Sequence, residues 1–561
     1  METSTTLRQR SRRLLVALAA LAVAGSCSSQ QPAPDEPSDG LVGSPAQAPS
    51  LAPAPEPDRS GDDSPRRSGA LWYRLEVHRG ELTATVRLLN PAERTSFFLP
   101  GAGSGRKIAQ GAIAIQGARA PGRSVPVNQL PDEGRIDLPT DGLDWVELDY
   151  RVDLDAFPAV PGRPRPRYAN RTLLAYGPDI FVVPSKSVAD EIRDIPVEIH
   201  APKDWSLLAT WRARARKDSH DTDDRVHGFV ARNLRLLRDA FFVAGPHIES
   251  VHRAEGDSSL TVAFGGGVGD GHRRLTSIVE KTVGAYRRRF GSTGPVLAFF
   301  HAGSDQDVSV RGTAKRNGFV VGTDDADEID TETELLVAHE AFHLWNGHEL
   351  IPHPSDASNT RWFKEGTTHY VAIKTLYAAG LFSFGDVRRE LARSAYYYRR
   401  NPASRGRRAS RLDLHRLPYD RGLLLALAFD GALAGCSGGE RTIADWLTHL
   451  LDEGRRFYDV ETLRTSFQAT AGGDCRAGRR IWARHVLRES PLDPSQILAN
   501  LDLHFLEAST LEETKVLPLE GDRRRFERLF STYSSESSGP RVSETRSASS
   551  TPPTPPDRSH E

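Results

Sequence analysis

The sequence predicts an α+β multidomain fold, with an N-terminal antiparallel β-domain of the sandwich or saddle type followed by a mixed sheet that gives way to helices. Three observations carry this. Residues 70–246 hold short runs of alternating apolar and polar side chains, parted by clusters of Gly, Pro and Asp. Near 247 the alternation yields to longer helical periods, and a metal-binding pattern stands where sheet pattern ends and helix pattern begins.

In chain order, residues 1–27 read as a secretory signal: Arg8, Arg10, Arg12 and Arg13 precede an apolar run from 14 to 24, too short to span a membrane with comfort. The run ends in Gly25-Ser26-Cys27, which resembles the bacterial lipobox, with Ala24 where leucine is preferred. That resemblance implies acylation at Cys27, a membrane anchor and, because Ser28 is not aspartate, an outer-membrane destination. Residues 28–68 are rich in Pro, Ser, Ala, Asp and Gln and predict a disordered tether. In the β-domain, 69–246, the clearest strands are 72–77, 82–88 and 145–150.

The next segment, 247–510, predicts a strand near 260–264, an amphipathic helix over 272–290, a buried strand over 296–300 and an edge strand near 319–321. A helix follows over the metal-binding pattern, with Thr331 and Glu334 as a capping pair and Gly347 as its stop. From 386 to about 505 nearly everything reads as helix, including 443–451 and 479–487. Residues 511–561 predict a short helix and a disordered Ser/Pro/Thr tail, with too little β pattern for a PDZ domain.

The chemistry lies in His339-Glu340-Ala341-Phe342-His343. Histidines four apart on a helix share a face, so both imidazoles can reach one tetrahedral Zn. Glu340, one step round, can take the proton of an activated water as general base. A catalytic Zn needs a third ligand, and the metzincin pattern fails because Asn346 and Glu349 stand where its glycine and third histidine belong. Glu365 is the better candidate, in a second apolar-patterned segment over 362–377 where Gly366 would let this helix pack closely on the first. His348, His353 and His369 read as surface or supporting residues.

His339-Glu340-x-x-His343-x-Trp345-Asn346, followed by Trp362-x-x-Glu365-Gly366-x-Thr368-x-Tyr370, resembles the glycyl aminopeptidase family of gluzincin peptidases. The resemblance implies His339, His343 and Glu365 as zinc ligands, Glu340 as base and a thermolysin-like catalytic domain. Tyr419-Asp420-Arg421-Gly422 is similar to the opening of a buried helix in gluzincin aminopeptidases, which implies that the Tyr419 hydroxyl stabilises the oxyanion. Tyr396, Tyr397 and Tyr398 are competing sources of such a hydroxyl. One departure bears on specificity: where related aminopeptidases carry an acid on the strand before the zinc helix, Gly312 is followed by Lys315 and Arg316. Asp324, Asp325, Asp327 and Glu328 offer another anchor for a substrate amine, or simply a solvated cap.

Cys436 and Cys475 form an even pair in an exported chain and are a candidate disulfide. Lys plus Arg (73) against Asp plus Glu (74) leaves a net charge of −1, so no bulk field points to nucleic acid as a partner. The sequence thus supports a membrane-anchored zinc metallopeptidase of the cell envelope acting on a peptide or protein substrate, with aminopeptidase action left open. Two other readings stay open at this point: a peptide-binding surface lipoprotein with a non-catalytic zinc site, and a zinc hydrolase of a non-peptide acyl substrate.

Overall fold

The computed structural model describes residues 70–518 apart from 79, 102–110, 158–164, 186–187, 189–191, 215–223, 255–257, 266–267, 269–270, 303–310 and 324–328, together with 527, 529 and 530. Cys27, the signal, the tether, Asp324, Asp325, Asp327, Glu328 and the tail beyond 530 lie outside the described residues.

The N-terminal part is built on Leu71–His78, whose Leu71, Tyr73, Leu75 and Val77 point inward by simple alternation. This strand sits inside an eight-stranded sheet, antiparallel to Glu81–Leu89 and parallel to Ile195–Pro202 with Tyr73 opposite Val197. That parallel pair is the one exception to the antiparallel pattern the sequence predicts for this sheet. Two four-stranded sheets share a core with it, and the Tyr73 hydroxyl donates to the carbonyl of Val182 at 2.8 Å.

The second part begins with a five-stranded sheet in which Leu260–Gly265, Val296–Ala302 and Gly318–Thr323 run parallel, with antiparallel strands Glu249–Arg253 and Arg311–Lys315 at its margins. The predicted edge strand near 319–321 is therefore internal, and Arg311–Lys315 holds the edge. The reason is a tight hairpin: Asn317 adopts φ 64°, and the chain before it folds back to cover Gly318–Thr323. Helix His272–Phe290 crosses over this sheet, burying Leu275, Ile278, Val279, Val283, Tyr286 and Phe290 at helical spacing.

One face of the sheet packs on these helices. The other meets the N-terminal part, where Tyr176, Phe241 and Val243 enclose Ala263, Leu297, Phe299 and Val320. The hairpin tip is pinned there too, since the Asn317 side chain donates to Thr210 O and the Arg316 amide to Asp239 O.

Beyond the sheet the chain is mainly helical: Thr331–Phe342, Thr368–Ala378, Phe384–Arg400, Arg411–Cys436, Ile443–Asp452 and Val460–Ala471. The first of these starts differently from expectation. Asp330, not Thr331, is its cap and accepts from the Thr333 amide, while Glu334 turns to Arg274 at 2.7 Å. It also ends before Gly347, with His343 already at its C-cap. A disulfide joins Cys436, the last residue of helix Arg411–Cys436, to Cys475, Cα atoms 5.6 Å apart. Residues 515–518, placed by sequence in a C-terminal helix and tail, instead pair with Leu503–Leu506 as a β-hairpin. Among the described residues no helix is long and apolar enough to cross a membrane.

Candidate metal centre

His339 lies in the last turn of helix Thr331–Phe342 and His343 caps it, so the four-residue spacing delivers both rings to one side, centroids 4.6 Å apart. Glu365 arrives from a single π-helical turn, Trp362–Thr367, that leads into Thr368–Ala378. Such a turn inserts a residue into the helical register and is common where a side chain must be re-aimed. The Glu365 Oε2 atom is 3.2 Å from His343 Nε2 and 3.7 Å from His339 Nε2.

All three side chains are buried, and their ligand atoms lie within 4.8 Å of one another. Among the described residues this is the only group of three or more His, Cys, Asp or Glu side chains able to share a metal ion. His339 Nε2 and Glu365 Oε2 are buried and close to one another, yet neither makes a hydrogen bond of good geometry. Buried polar atoms left so are rare and costly, and two imidazoles with one carboxylate are a donor set that suits Zn with a fourth position open.

Supporting residues fix these side chains. His343 Nδ1 donates to the carbonyl of Asn346 at 3.0 Å, which directs Nε2 at the cluster. The Asn346 amide in turn donates to the carbonyls of Phe363 and Lys364 and to Thr368 Oγ1, tying the end of one ligand-bearing segment to the start of the other. Burial lowers the His339 imidazole to about 4, keeping it neutral and ready to ligate. Burial opposes ionisation of Glu365, but Lys364 and the two histidines outweigh it and hold this carboxyl well below the usual range.

Glu340 is wholly buried beneath the edge strand. Gly312 lies directly over it: a Cβ there would come 2.7 Å from Glu340 Oε1. Tyr419, on helix Arg411–Cys436, stacks 5.8 Å from the His339 ring. Its hydroxyl is buried without a hydrogen-bond partner, and burial together with Glu365 raises it well above the ordinary tyrosine value. It is placed by a close helix crossing. A Cβ on Gly366 would lie 2.5 Å from Leu423 N, and one on Gly422 would lie 2.8 Å from Gly366 Cα. Gly366 thus serves close packing, but against the helix of Tyr419 and not against the helix of His339.

The competing tyrosines go elsewhere. Tyr396 donates to Ser509 O, Tyr397 lies under Arg416, and Tyr398 accepts from the Leu492 amide. His348 contacts Asp239 at 3.0 Å and His353 Ser355 at 2.6 Å, both outside the cluster, whereas His369 is buried with its ring 5.6 Å from that of His339. Lys315 and Arg316, at the positions expected to be acidic, are turned to the junction with the N-terminal part: Lys315 lies near Asp239, and Arg316 bonds His348 O and Glu349.

Three features escape the sequence reading. Gly312 is a cover for Glu340, Asn346 is a strut, and Asp430 accepts from Tyr370 and Lys374 at 2.7 and 2.6 Å, locking the helix after Glu365 to the helix of Tyr419. A sequence signal exists for the last, since Tyr370 and Lys374 are one turn apart on an otherwise apolar segment.

The M61 glycyl aminopeptidase family model matches residues 333–413. No curated protein matches the chain. Among solved structures, the chain is similar to an aminopeptidase N family protein from Idiomarina loihiensis, with TM-score 0.63, 16% identity, and coverage of 78% of this chain and 79% of that one. It is also similar to a mutant M1 zinc metallopeptidase from Deinococcus radiodurans, with TM-score 0.49, 14% identity, and coverage of 74% and 94%. The chain shares its α+β fold with the aminopeptidase N protein, its residues 333–413 resemble the M61 glycyl aminopeptidases, and within that stretch His339, His343 and Glu365 form a group that could hold a metal ion.

Proposed function

We propose that this chain hydrolyses peptide bonds at a centre in which His339, His343 and Glu365 hold zinc and Glu340 is the general base. The observation that carries the reading is the buried convergence of those three ligand atoms within 4.8 Å, with Glu340 one residue from the first. Zinc, when bound, supplies Lewis acidity to the substrate carbonyl and an activated water. Glu340 accepts the proton as attack proceeds and can return it to the leaving amine. Tyr419 directs its hydroxyl, held protonated by burial, at the carbonyl oxygen as negative charge develops there. The edge strand Arg311–Lys315 closes over Glu340 and keeps bulk water from its carboxylate.

Aminopeptidase action belongs to this reading, but Lys315 and Arg316 are unsuited to bind a substrate amine, so the anchor for a free N-terminus would come from elsewhere. The resemblance of Gly25-Ser26-Cys27 to a lipobox supports an enzyme of the bacterial envelope, anchored by acyl chains at Cys27. Loss of membrane association in Cys27→Ser would support that placement, and unchanged fractionation would remove it.

The test is incubation of the zinc-loaded protein with a mixed peptide library beside Glu340→Gln, reading new termini by mass spectrometry. Cuts that vanish in Glu340→Gln while zinc content is kept are expected. A zinc-loaded, folded wild type that cuts nothing would favour the binding-protein reading or a non-peptide acyl substrate.

A further inference from the structure

The row of rings that begins at the reaction centre continues outward past Tyr419. The His415 ring lies on the Tyr419 ring, centroids 6.2 Å apart and planes 19° apart, as the Tyr419 ring lies on that of His339 at 5.8 Å. Arg411, His415 and Tyr419 follow at four-residue steps on helix Arg411–Cys436, so they share one face of it. Arg361 stands four residues before Glu365, in helical conformation (φ −59°, ψ −33°) at the start of the turn Trp362–Thr367. The crossing of the two segments brings both arginines near His415. After burial, the charges that act on its imidazole are those of Arg361, Glu365 and Arg411, and Arg361 acts on the Tyr419 hydroxyl too. Neither guanidinium has an ion pair or a hydrogen bond to any described residue. The acids at hand are committed elsewhere, Asp413 to Ser410 at 2.7 Å, Asp420 to Arg416 at 2.8 Å and Glu365 to the metal cluster. Arg411 is exposed and Arg361 and His415 are half-buried, so this is an open shelf beside the centre and not an enclosed cavity.

We propose that Arg361 and Arg411 form an anion subsite for a carboxylate of the substrate, either the C-terminal carboxylate of a short peptide or the side chain of an Asp or Glu near the scissile bond. The proposal rests on the peptidase reading above. Each guanidinium presents a fork of N–H donors that a carboxylate can accept in pairs. With no described acid left to neutralise them, the counter-charge comes from the ligand, and the positive field next to Tyr419 draws the anionic end of a peptide towards the centre. A basic guest is repelled there, and a neutral guest leaves both arginines hydrated and gains nothing. Because the shelf is open, each contact is weak by itself and screened by salt, so a carboxylate should raise kcat/KM roughly threefold to thirtyfold over its neutral isostere.

The test measures kcat/KM on two series of peptides with the zinc-loaded wild type, Arg361→Gln, Arg411→Gln and the double variant. One series compares tripeptides with a free or an amidated C-terminus. The other, longer and amidated throughout, compares Asp with Asn and Glu with Gln at each position beside the cut. A carboxylate-to-neutral ratio of roughly threefold or more is expected in at least one series, and the series that shows it identifies the source of the anion. The ratio should fall towards one in the double variant. In wild type it should shrink as salt rises from about 10 mM to about 1 M, where the screening length drops from about 30 Å to about 3 Å. Taking ratios cancels any effect of Arg361 on Tyr419 that touches all substrates alike, and the exposed Arg411, with no partner to lose, supplies a variant should Arg361→Gln fail to fold. Ratios near one in both series, or a carboxylate preference that no variant lowers, would overturn the subsite. Binding of the same peptides to zinc-loaded Glu340→Gln by calorimetry separates the two levels. Carboxylate-dependent binding with no wild-type turnover sinks only the peptidase reading, whereas equal binding of carboxylate and neutral partners sinks the subsite.

Discussion

Glu365 and Tyr419 are brought together by a helix crossing, whereas Glu340 is covered by the margin of a sheet, and the two regions are held by different means. The crossing is backbone against backbone at Gly366 and Gly422, braced by the buried Lys374–Asp430 pair and by aromatic stacking of Trp362 on Phe429. It lies wholly within the helical core. The sheet margin is one strand deep, and its hairpin is tied down by the N-terminal part through Thr210 and Asp239. The difference teaches that ligand geometry is a property of the second part alone, while the cover over the base depends on contacts between the two.

The sharpest way to break the comparison is Gly422→Val. A Cβ already meets the Trp362 and Gly366 backbone, which cannot yield as a flexible side chain would, so overpacking of about 1–3 kcal/mol or more is expected. Zinc content, thermal stability and activity should fall together. Tyr419→Phe should keep zinc and fold but lose turnover by roughly 10²–10³, seen in kcat. Retained wild-type kcat would remove Tyr419 from the oxyanion role.

Gly312→Ala probes the other region. The new methyl meets the Glu340 carboxylate, a side chain that can shift, so stability and zinc content should change little while kcat falls roughly tenfold to a hundredfold through misplacement of the base. If Gly312→Ala lost zinc as Gly422→Val should, the two regions would not be separable.

The smallest effect concerns pH. His415, one turn before Tyr419, is lowered to about 4 by burial and by Arg361. A base with a depressed folded value binds fewer protons folded than unfolded, so its contribution is intact above the unfolded value near 6.5 and is lost as pH falls towards 4. His415→Gln should therefore flatten the decline in melting temperature between pH 7 and 5 relative to wild type. Parallel curves would mean that His415 titrates alike in both states.

Much of this architecture is legible in the residues because it rests on local period. Helix His272–Phe290 follows from apolar spacing, strands Leu71–His78 and Val296–Ala302 from alternation or unbroken apolarity, and the His339/His343 pair from a four-residue step. The place of the edge strand is not legible, because Phe319, Val320 and Val321 are apolar enough for either position, and only pairing with Arg311–Lys315 decides it. The cap of the helix that carries His339 lies one residue before the expected Thr331, because Asp330 and Thr331 are both good caps and a long-range partner, Arg274, draws Glu334 away.

The sequence by itself determined which side chains could bind zinc and which carboxylate stands beside them, since these follow from spacing along one or two helices. What the tertiary structure decided was everything set by approach between segments distant in the chain. Gly366 meets Gly422 and not the first helix, Gly312 covers Glu340, and Arg393 faces a cavity beside Tyr419. Periodicity fixes which face of a helix is apolar, but not which of several apolar faces it meets; that choice belongs to packing of the whole core.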